Sequence, residues 1–570
     1  MAACEKWQLL LVVSGVLAAF EHAYGYTEDH RICGTLPEIY FANVIGRIPG
    51  GSDIILPGNQ KPCRQKPLKE RYREVDGRCN HPLDFGSAMK PVKRYIKPYY
   101  QDPKGYNTPR SFSERGKHPL PSPRAISTFI HTDRRKMDRY TMWVMQLGQF
   151  IDHDITSAPV PTEHNSSIRC CGLPPDQKPE ECFSIEVPRN DRVFGQCMEF
   201  VRSEPWKDDE GQVIYPREQL NALTAFLDGS AIYGSNEETL ARLRTSDGKG
   251  PLLKTMVVNG KERLPQDVNA DRNMCLVSRS RHSYCQLAGD ERVNEQPGLG
   301  SAHLLFHLFH NYIVKALTKG ILGKDMHQVL DHEVEAYLQR EPTPLHEYIF
   351  QEARRIVGAV LQKITYCDWL PLIVGPALIR KYSLDCHGRS RYNKFVDPRI
   401  SNSFLTVAFR FGHSLIPNQV SINHVKLELK DQFMVPDPVQ LYYESILEGM
   451  QDTRSQMKFD RHYNDLDLFV GGLLEVPVRG GIVGDTFGNI LANQFADLKF
   501  GDAYFFMDTS RARGFTNEQL RSIKKYTLRD IVCMCGGVKK SQRNIFRAPM
   551  GRNLQEPCDA RSEFNIAPWY

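Results

Sequence analysis

The chain has 570 residues, 41% hydrophobic and 25% charged, a globular composition with ample material for a large buried core. Its formal net charge of +6, from 73 basic and 67 acidic side chains, is spread without long runs, so nothing suggests nucleic-acid binding. Such a balance is at most mildly attractive to small anions.

Residues 1–25 read as a secretory signal. Lys6 stands in a short n-region, an apolar run extends from Leu9 to Phe20, and Ala23 and Gly25 supply small residues before a cut. The run is too short to span a bilayer and no later segment approaches transmembrane length, so an exported, soluble protein is expected. Of the 15 cysteines Cys4 lies in the signal, leaving an even set for disulfides in an oxidising compartment. Zinc is the poorer reading, because no group has two Cys-x-x-Cys pairs. Asn165-Ser-Ser is an N-glycosylation sequon in a Pro/Ser-rich loop.

Residues 26–130 form an irregular lead-in wrapped on the domain, with a small basic loop between Cys63 and Cys79 and prolines recurring from Pro91 to Pro123. The remainder, 131–570, has no clean linker and reads as one large domain, mainly α, with little β structure. Periodicity predicts helices over 138–156, 297–319, 329–341, 344–363, 401–416, 439–451, 487–498 and 516–526, with loop-rich, disulfide-stapled chain over 158–217.

On the helix wound over 138–156, Gln146, Gln149 and His153 share one face, beside an apolar stripe of Trp143, Leu147, Phe150 and Ile151. Asp152 and Asp154 project about 100° to either side of the histidine. An exposed polar edge is the bland account of this surface. Further on, Thr224-Ala-Phe226-Leu-Asp228-Gly-Ser230 places oxygens at alternate positions: two hydroxyls, a carboxylate and the Phe226 carbonyl. A hard cation such as Ca²⁺ takes six to eight such ligands, and Asp154 is an unclaimed carboxylate. A turn bonding to its own backbone is the alternative.

His303, His307 and His310 share one helix face, which raises a dinuclear copper phenoloxidase as a rival. That site needs a second cluster, and His327, His332 and His346 do not pair at helical spacing, so interhelical core histidines are the better reading. His413 stands near the end of an apolar helix with Arg410 on its side.

With these residues in place the chain resembles the animal-type haem peroxidases of the peroxidase–cyclooxygenase superfamily, from about Cys63 to Cys558, and leans toward secreted invertebrate members. Gln149-Phe-Ile-Asp152-His153-Asp154 resembles the distal motif, and Leu223 to Ser235 the calcium loop. Ala288-Gly-Asp-Glu-Arg292-Val-Asn-Glu295 is similar to the distal arginine segment. Val396-Asp-Pro-Arg-Ile through Phe409-Arg410-Phe-Gly-His413 is similar to the proximal helix, and Asp467-Leu-Phe-Val-Gly-Gly to a later signature.

The resemblance implies an enzyme that reduces H₂O₂ and, through a ferryl haem, oxidises a small donor: phenol, catechol, tyrosine, halide or pseudohalide. His413 would ligate the iron of haem b, His153 would shuttle the peroxide proton, and Arg292 would stabilise developing charge. Asp152 and Glu295 would form ester bonds to the haem, Gln149 would meet halide or water, and Arg410 a propionate. Asp154, Thr224, Phe226, Asp228 and Ser230 would bind Ca²⁺.

Gln296 replaces the methionine that gives some members a sulfonium link, so that link and chloride oxidation are not expected. The partner of the proximal histidine aligns with Asn464 or Asp465. If Cys533 pairs with Cys558 as in the family, Cys33 and Cys535 are left over, to bridge each other or link subunits. A catalytically silent matrix or adhesion protein on the same fold is the remaining alternative, although no Arg-Gly-Asp or Lys-Gly-Asp tripeptide is present.

Overall fold

The computed structural model describes residues 71–570 apart from 113–117, 131, 164–165, 192, 272–273, 278–282, 324–344, 388–389, 424, 452, 459–467, 509–512 and 559–562. The signal, the sequon at Asn165, the helix expected over 329–341, and Cys33, Cys63, His327, His332, Asn464 and Asp465 lie outside the described residues.

Strand β1 (Thr132–Thr141) leads into helix α1 (Trp143–Ile155). Then come α2 (Pro297–Leu322), α3 (Leu345–Lys363), α4 (Leu370–Lys381) and α5 (Asp437–Gly449). Strand β2 (Thr453–Lys458) precedes α6 (Asp485–Phe500), α7 (Asn517–Lys525) and α8 (Leu528–Cys535). The described strands pair only as two-stranded ladders, as the scarcity of alternating sequence predicts.

The core is built around α2, which packs on α1, α3, α5 and α8. Phe306, Phe309, Ile313 and Leu317 from α2 meet a fully buried set that includes Phe350 and Val357 of α3 and Ile446 of α5. Its ends are marked in the sequence. Gln296 caps the first turn by accepting from the Gly298 N–H at 2.7 Å, Pro297 occupies the first helical position, and Gly323 at φ 67° closes the helix.

Helix α3 runs through a π-turn at Ile364–Trp369 into α4. Leu345–Lys381 is the one helical stretch among the described residues long and apolar enough to cross a membrane, but 83% of its most apolar window is buried in this fold.

Two expected helices differ. The helix predicted over 138–156 begins at Trp143, because residues up to Thr141 are taken by the β1–β2 ladder. Thr141 also donates from its N–H to Phe546 O at 3.1 Å and from Oγ1 to Ile545 O at 2.6 Å, so these groups are spent before the helix starts.

The helix predicted over 401–416 is broken. An α-turn, Asn402–Thr406, stops at Val407 (φ −131°, ψ −73°), and Ala408–Leu415 continues as a 3₁₀ helix. The Arg410 Nε–H donates to the Leu405 carbonyl at 3.0 Å, an acceptor that a continuous α-helix would have used for its own backbone. In 3₁₀ winding residues three apart eclipse, so Arg410 and His413 fall in line.

Disulfides staple the connections: Cys170–Cys182, Cys171–Cys197, Cys275–Cys285, Cys367–Cys386 and Cys533–Cys558. Cys79 is also disulfide-bonded. Among the described residues Cys535 is the free cysteine, and burial pushes its thiol up to about 12.

Candidate active site

A cavity of about 410 Å³ lies between α1, the segment before α2, and the 3₁₀ helix. Gln149, Asp152 and His153 reach it from α1, Arg292, Glu295 and Gln296 from the second segment, and Arg410 and His413 from the third. Residues spread over 264 positions of sequence, from Gln149 to His413, thus share one space. Val144, Phe409, Phe411, Ile416, Leu429 and Phe433 add apolar walls.

His153 is 3% exposed. Its Nδ1 lies 3.4 Å from Asp290 Oδ1 without a hydrogen bond and is shut off from solvent, while Nε2 lies 3.6 Å from Glu295 Oε2. Nε2 is therefore the nitrogen available to the cavity.

Asp290 is a residue the sequence reading missed. It accepts from Arg292 Nε at 2.8 Å and Nη2 at 2.7 Å, a bidentate pair that fixes the guanidinium, and its Oδ1 also accepts the Arg292 backbone N–H at 3.0 Å. Burial alone would raise its carboxyl, but Arg292 and His153 outweigh that and hold it well below the usual carboxylate range. Arg292 Nη2 donates further to the Thr156 carbonyl, 2.9 Å away at the end of α1. The available signal was its place two residues before Arg292 in Gly-Asp-Glu-Arg.

Asp152 accepts from Arg410 Nη1 at 3.0 Å and from Thr156 Oγ1 at 2.7 Å. His413 is exposed to the cavity it lines, and desolvation, reinforced by Arg410, lowers its pKa against the opposing pull of Asp152. The neutral imidazole is thereby favoured, which is the form that ligates a metal.

On the far side of α1 the oxygen-rich loop closes on Asp154. The Asp154 carboxylate accepts from the N–H groups of Gly229 (3.2 Å) and Ala231 (2.9 Å), and the Ser230 hydroxyl donates to the Asp154 carbonyl. Thr224 Oγ1 donates to Asp228 Oδ2 at 2.9 Å, and the Ser230 N–H to Asp228 Oδ1 at 3.0 Å. Burial, then the charge of Asp228, pushes the Asp154 carboxyl well above its ordinary value. Asp228 is pushed up to about 6 by burial, against Arg73 and Arg354.

Two buried like charges beside hydroxyls and a main-chain carbonyl suit a hard cation. No cluster of three or more His, Cys, Asp or Glu side chains that could hold a metal exists among the described residues, so a cation here relies on neutral oxygens for the rest of its shell. Gly289 ties this loop to Asp290, since a Cβ there would meet the Gly234 nitrogen at 2.5 Å.

The three α2 histidines do not converge on a metal. His303 meets Ala231 O at 3.0 Å, His307 Lys254 O at 2.8 Å, and His310 both Pro251 O at 3.0 Å and the Tyr233 hydroxyl at 2.9 Å. Burial lowers them to about 3, 4 and 3, so they are neutral core groups, each held by a main-chain carbonyl, with Nε2 of His303 left without a partner.

A second, smaller cavity is lined by Asp228 and several arginines, and most of those guanidiniums are already taken by Glu352, Asp502 or main-chain carbonyls.

The fold and this arrangement define a class. The animal haem peroxidase family model matches residues 72–464 and 457–546, and the chain belongs to that family. It is 29% identical to peroxidasin homolog pxn-1 of Caenorhabditis elegans, over 90% of this chain and 46% of that protein. It is 31% identical to the chorion peroxidase of Drosophila melanogaster (82% and 66%) and 28% to human myeloperoxidase (88% and 77%). The chain thus spans about half to two thirds of the length of the first two relatives. Peroxidase A of Dictyostelium discoideum shares the fold, with a TM-score of 0.60 at 20% identity over 85% of this chain and 99% of that one.

Proposed function

We propose that this chain is a secreted haem peroxidase that reduces H₂O₂ and oxidises small donors such as phenols, catechols, tyrosine, halides or pseudohalides. One observation carries the reading: His153, Arg292 and His413, from three distant segments, line a single cavity with apolar walls. When bound, haem supplies a redox centre that accepts oxidising equivalents from peroxide and passes them to the donor.

His413 would hold the iron through its neutral imidazole, and Arg410 a propionate. Asp152 and Glu295, both at the cavity wall, would carry the ester links. His153 Nε2 takes the proton of the incoming peroxide and returns it to the departing oxygen. Arg292, clamped by Asp290, faces the charge that develops as the O–O bond breaks. Asp154, Thr224, Phe226, Asp228 and Ser230 would hold Ca²⁺ and so fix α1 from behind. The raised thiol of Cys535 makes it a poor nucleophile for an intersubunit disulfide.

The test is peroxide-dependent oxidation of a phenol and of iodide by the purified holoprotein. Haem binding without turnover of either donor would favour the silent matrix protein instead. The clamp makes a further prediction. Asp290→Asn removes a charge-assisted pair and lowers the rate of reaction with H₂O₂ by roughly 10- to 100-fold, as stopped-flow absorbance would report. An unchanged rate would mean that Arg292 needs no clamp.

A further inference from the structure

Three glutamines beside the cavity form a hydrogen-bonded relay whose polarity is set by the backbone. The Gly298 N–H is a donor only, so the Gln296 amide must turn its Oε1 toward it, at 2.7 Å. That leaves Gln296 Nε2 as the other end, and it donates to Gln146 Oε1 at 2.6 Å and to Gln149 Oε1 at 2.9 Å. Gln146 Nε2 adds a longer bond to the same Gln149 oxygen, at 3.3 Å. The acceptor end of Gln149 is therefore engaged twice, and its NH₂ is the end left for the cavity that Gln149 lines.

Space enforces the arrangement as well. Gly298 is not required by its backbone angles. A Cβ there would lie 2.5 Å from Gln146 Oε1 and 3.0 Å from Gln296 Oε1, so only glycine leaves room for both amides against the start of α2. The positive end of the α2 dipole points the same way, stabilising the two oxygens gathered there.

We infer that Gln296, with Gly298 behind it, is a positioning residue that locks the Gln149 amide with its hydrogens toward the cavity and thereby favours a small anionic donor. The inference rests on the peroxidase reading for the meaning of "donor", but the amide orientation stands apart from it. With Gln149 locked, an anion in the cavity meets an N–H donor at no cost of reorientation. With the lock removed, Gln149 is free to flip and present its oxygen, which repels an anion.

Thiocyanate is a suitable probe, its binding to the resting holoprotein followed by NMR line broadening of the nitrogen-labelled ion. Gln296→Asn keeps a good helix cap but is too short to reach Gln149. It is expected to raise the thiocyanate Kd about five-fold, the worth of one neutral hydrogen bond, at unchanged Tm and haem content. Gly298→Ala, which pushes the Gln146 and Gln296 amides out of place, is expected to do the same, and it decides the matter if Gln296→Asn does not fold.

A wild-type Kd in the variants that fold, or no thiocyanate binding by the wild type, overturns the inference. Haem content measured on the same samples keeps the two readings apart. Wild-type protein without haem defeats the peroxidase reading, while a relay-dependent Kd in that protein would still uphold the locked amide.

Discussion

Replacing His153 by alanine is expected to leave haem bound and to slow the reaction with H₂O₂ by about 10²- to 10⁴-fold, the usual worth of a positioned acid–base group. The two functions separate because the side chains that would hold haem lie on other segments or point elsewhere. His413 and Arg410 lie on the 3₁₀ helix, Glu295 precedes α2, and Asp152, although adjacent in sequence, points its carboxylate at Arg410. The imidazole of His153 is buried with Nδ1 beside Asp290 and Nε2 toward the cavity, so its loss removes chiefly a proton relay. Stopped-flow mixing with H₂O₂, alongside a haem assay, measures both quantities. Loss of haem in step with loss of rate would place His153 in the scaffold instead.

Calcium removal is expected to produce the second large effect, with a sign that depends on pH. In the cation-free fold the Asp228 carboxyl is raised to about 6 and that of Asp154 is raised as well. A carboxyl raised in the folded state binds its proton more tightly there than in the unfolded chain. Stability without the cation therefore falls as pH rises above about 4, through the raised value near 6 for Asp228 and further as Asp154 ionises.

Ca²⁺ abolishes the penalty and competes with the protons, so the gap in Tm between Ca²⁺-loaded and chelated protein should widen from pH 4 to pH 7. Asp228→Asn sharpens the test, because it removes a ligand in the presence of Ca²⁺ and a repulsive charge in its absence. It should lower Tm with Ca²⁺, and haem incorporation with it, yet raise or preserve Tm under chelation. A variant that loses the same stability in both conditions would make Asp228 a plain structural residue.

Much of this site was legible because its signals are local. The 3.6-residue period placed Gln146, Gln149 and His153 on one face of α1; Gln149 and His153 line the cavity with Gln296, and Gln146 bonds Gln296 from behind. The alternate oxygens from Thr224 to Ser230 were equally readable, and the structure brings Asp154 to them. What escaped was set by partners far along the chain. The start of α1 is fixed by β2, more than 300 residues later in sequence, and by the carbonyls of Ile545 and Phe546.

The break at Val407 arises from a side chain taking a main-chain acceptor, which periodicity does not encode. Asp290 was hidden because a carboxylate two residues before an arginine is an ordinary turn pattern until the histidine arrives from elsewhere. Gln296 was read only for the link it cannot make, whereas the structure gives it three hydrogen bonds of its own.

The account turns on His413 holding haem iron in the same cavity as His153, and the absorption spectrum of the purified protein before and after H₂O₂ tests it most directly. The account predicts stoichiometric iron, a Soret band in the resting protein, and a rapid change of that band on adding peroxide. Protein that purifies with copper, or without iron and without a Soret band after incubation with haem, would contradict it.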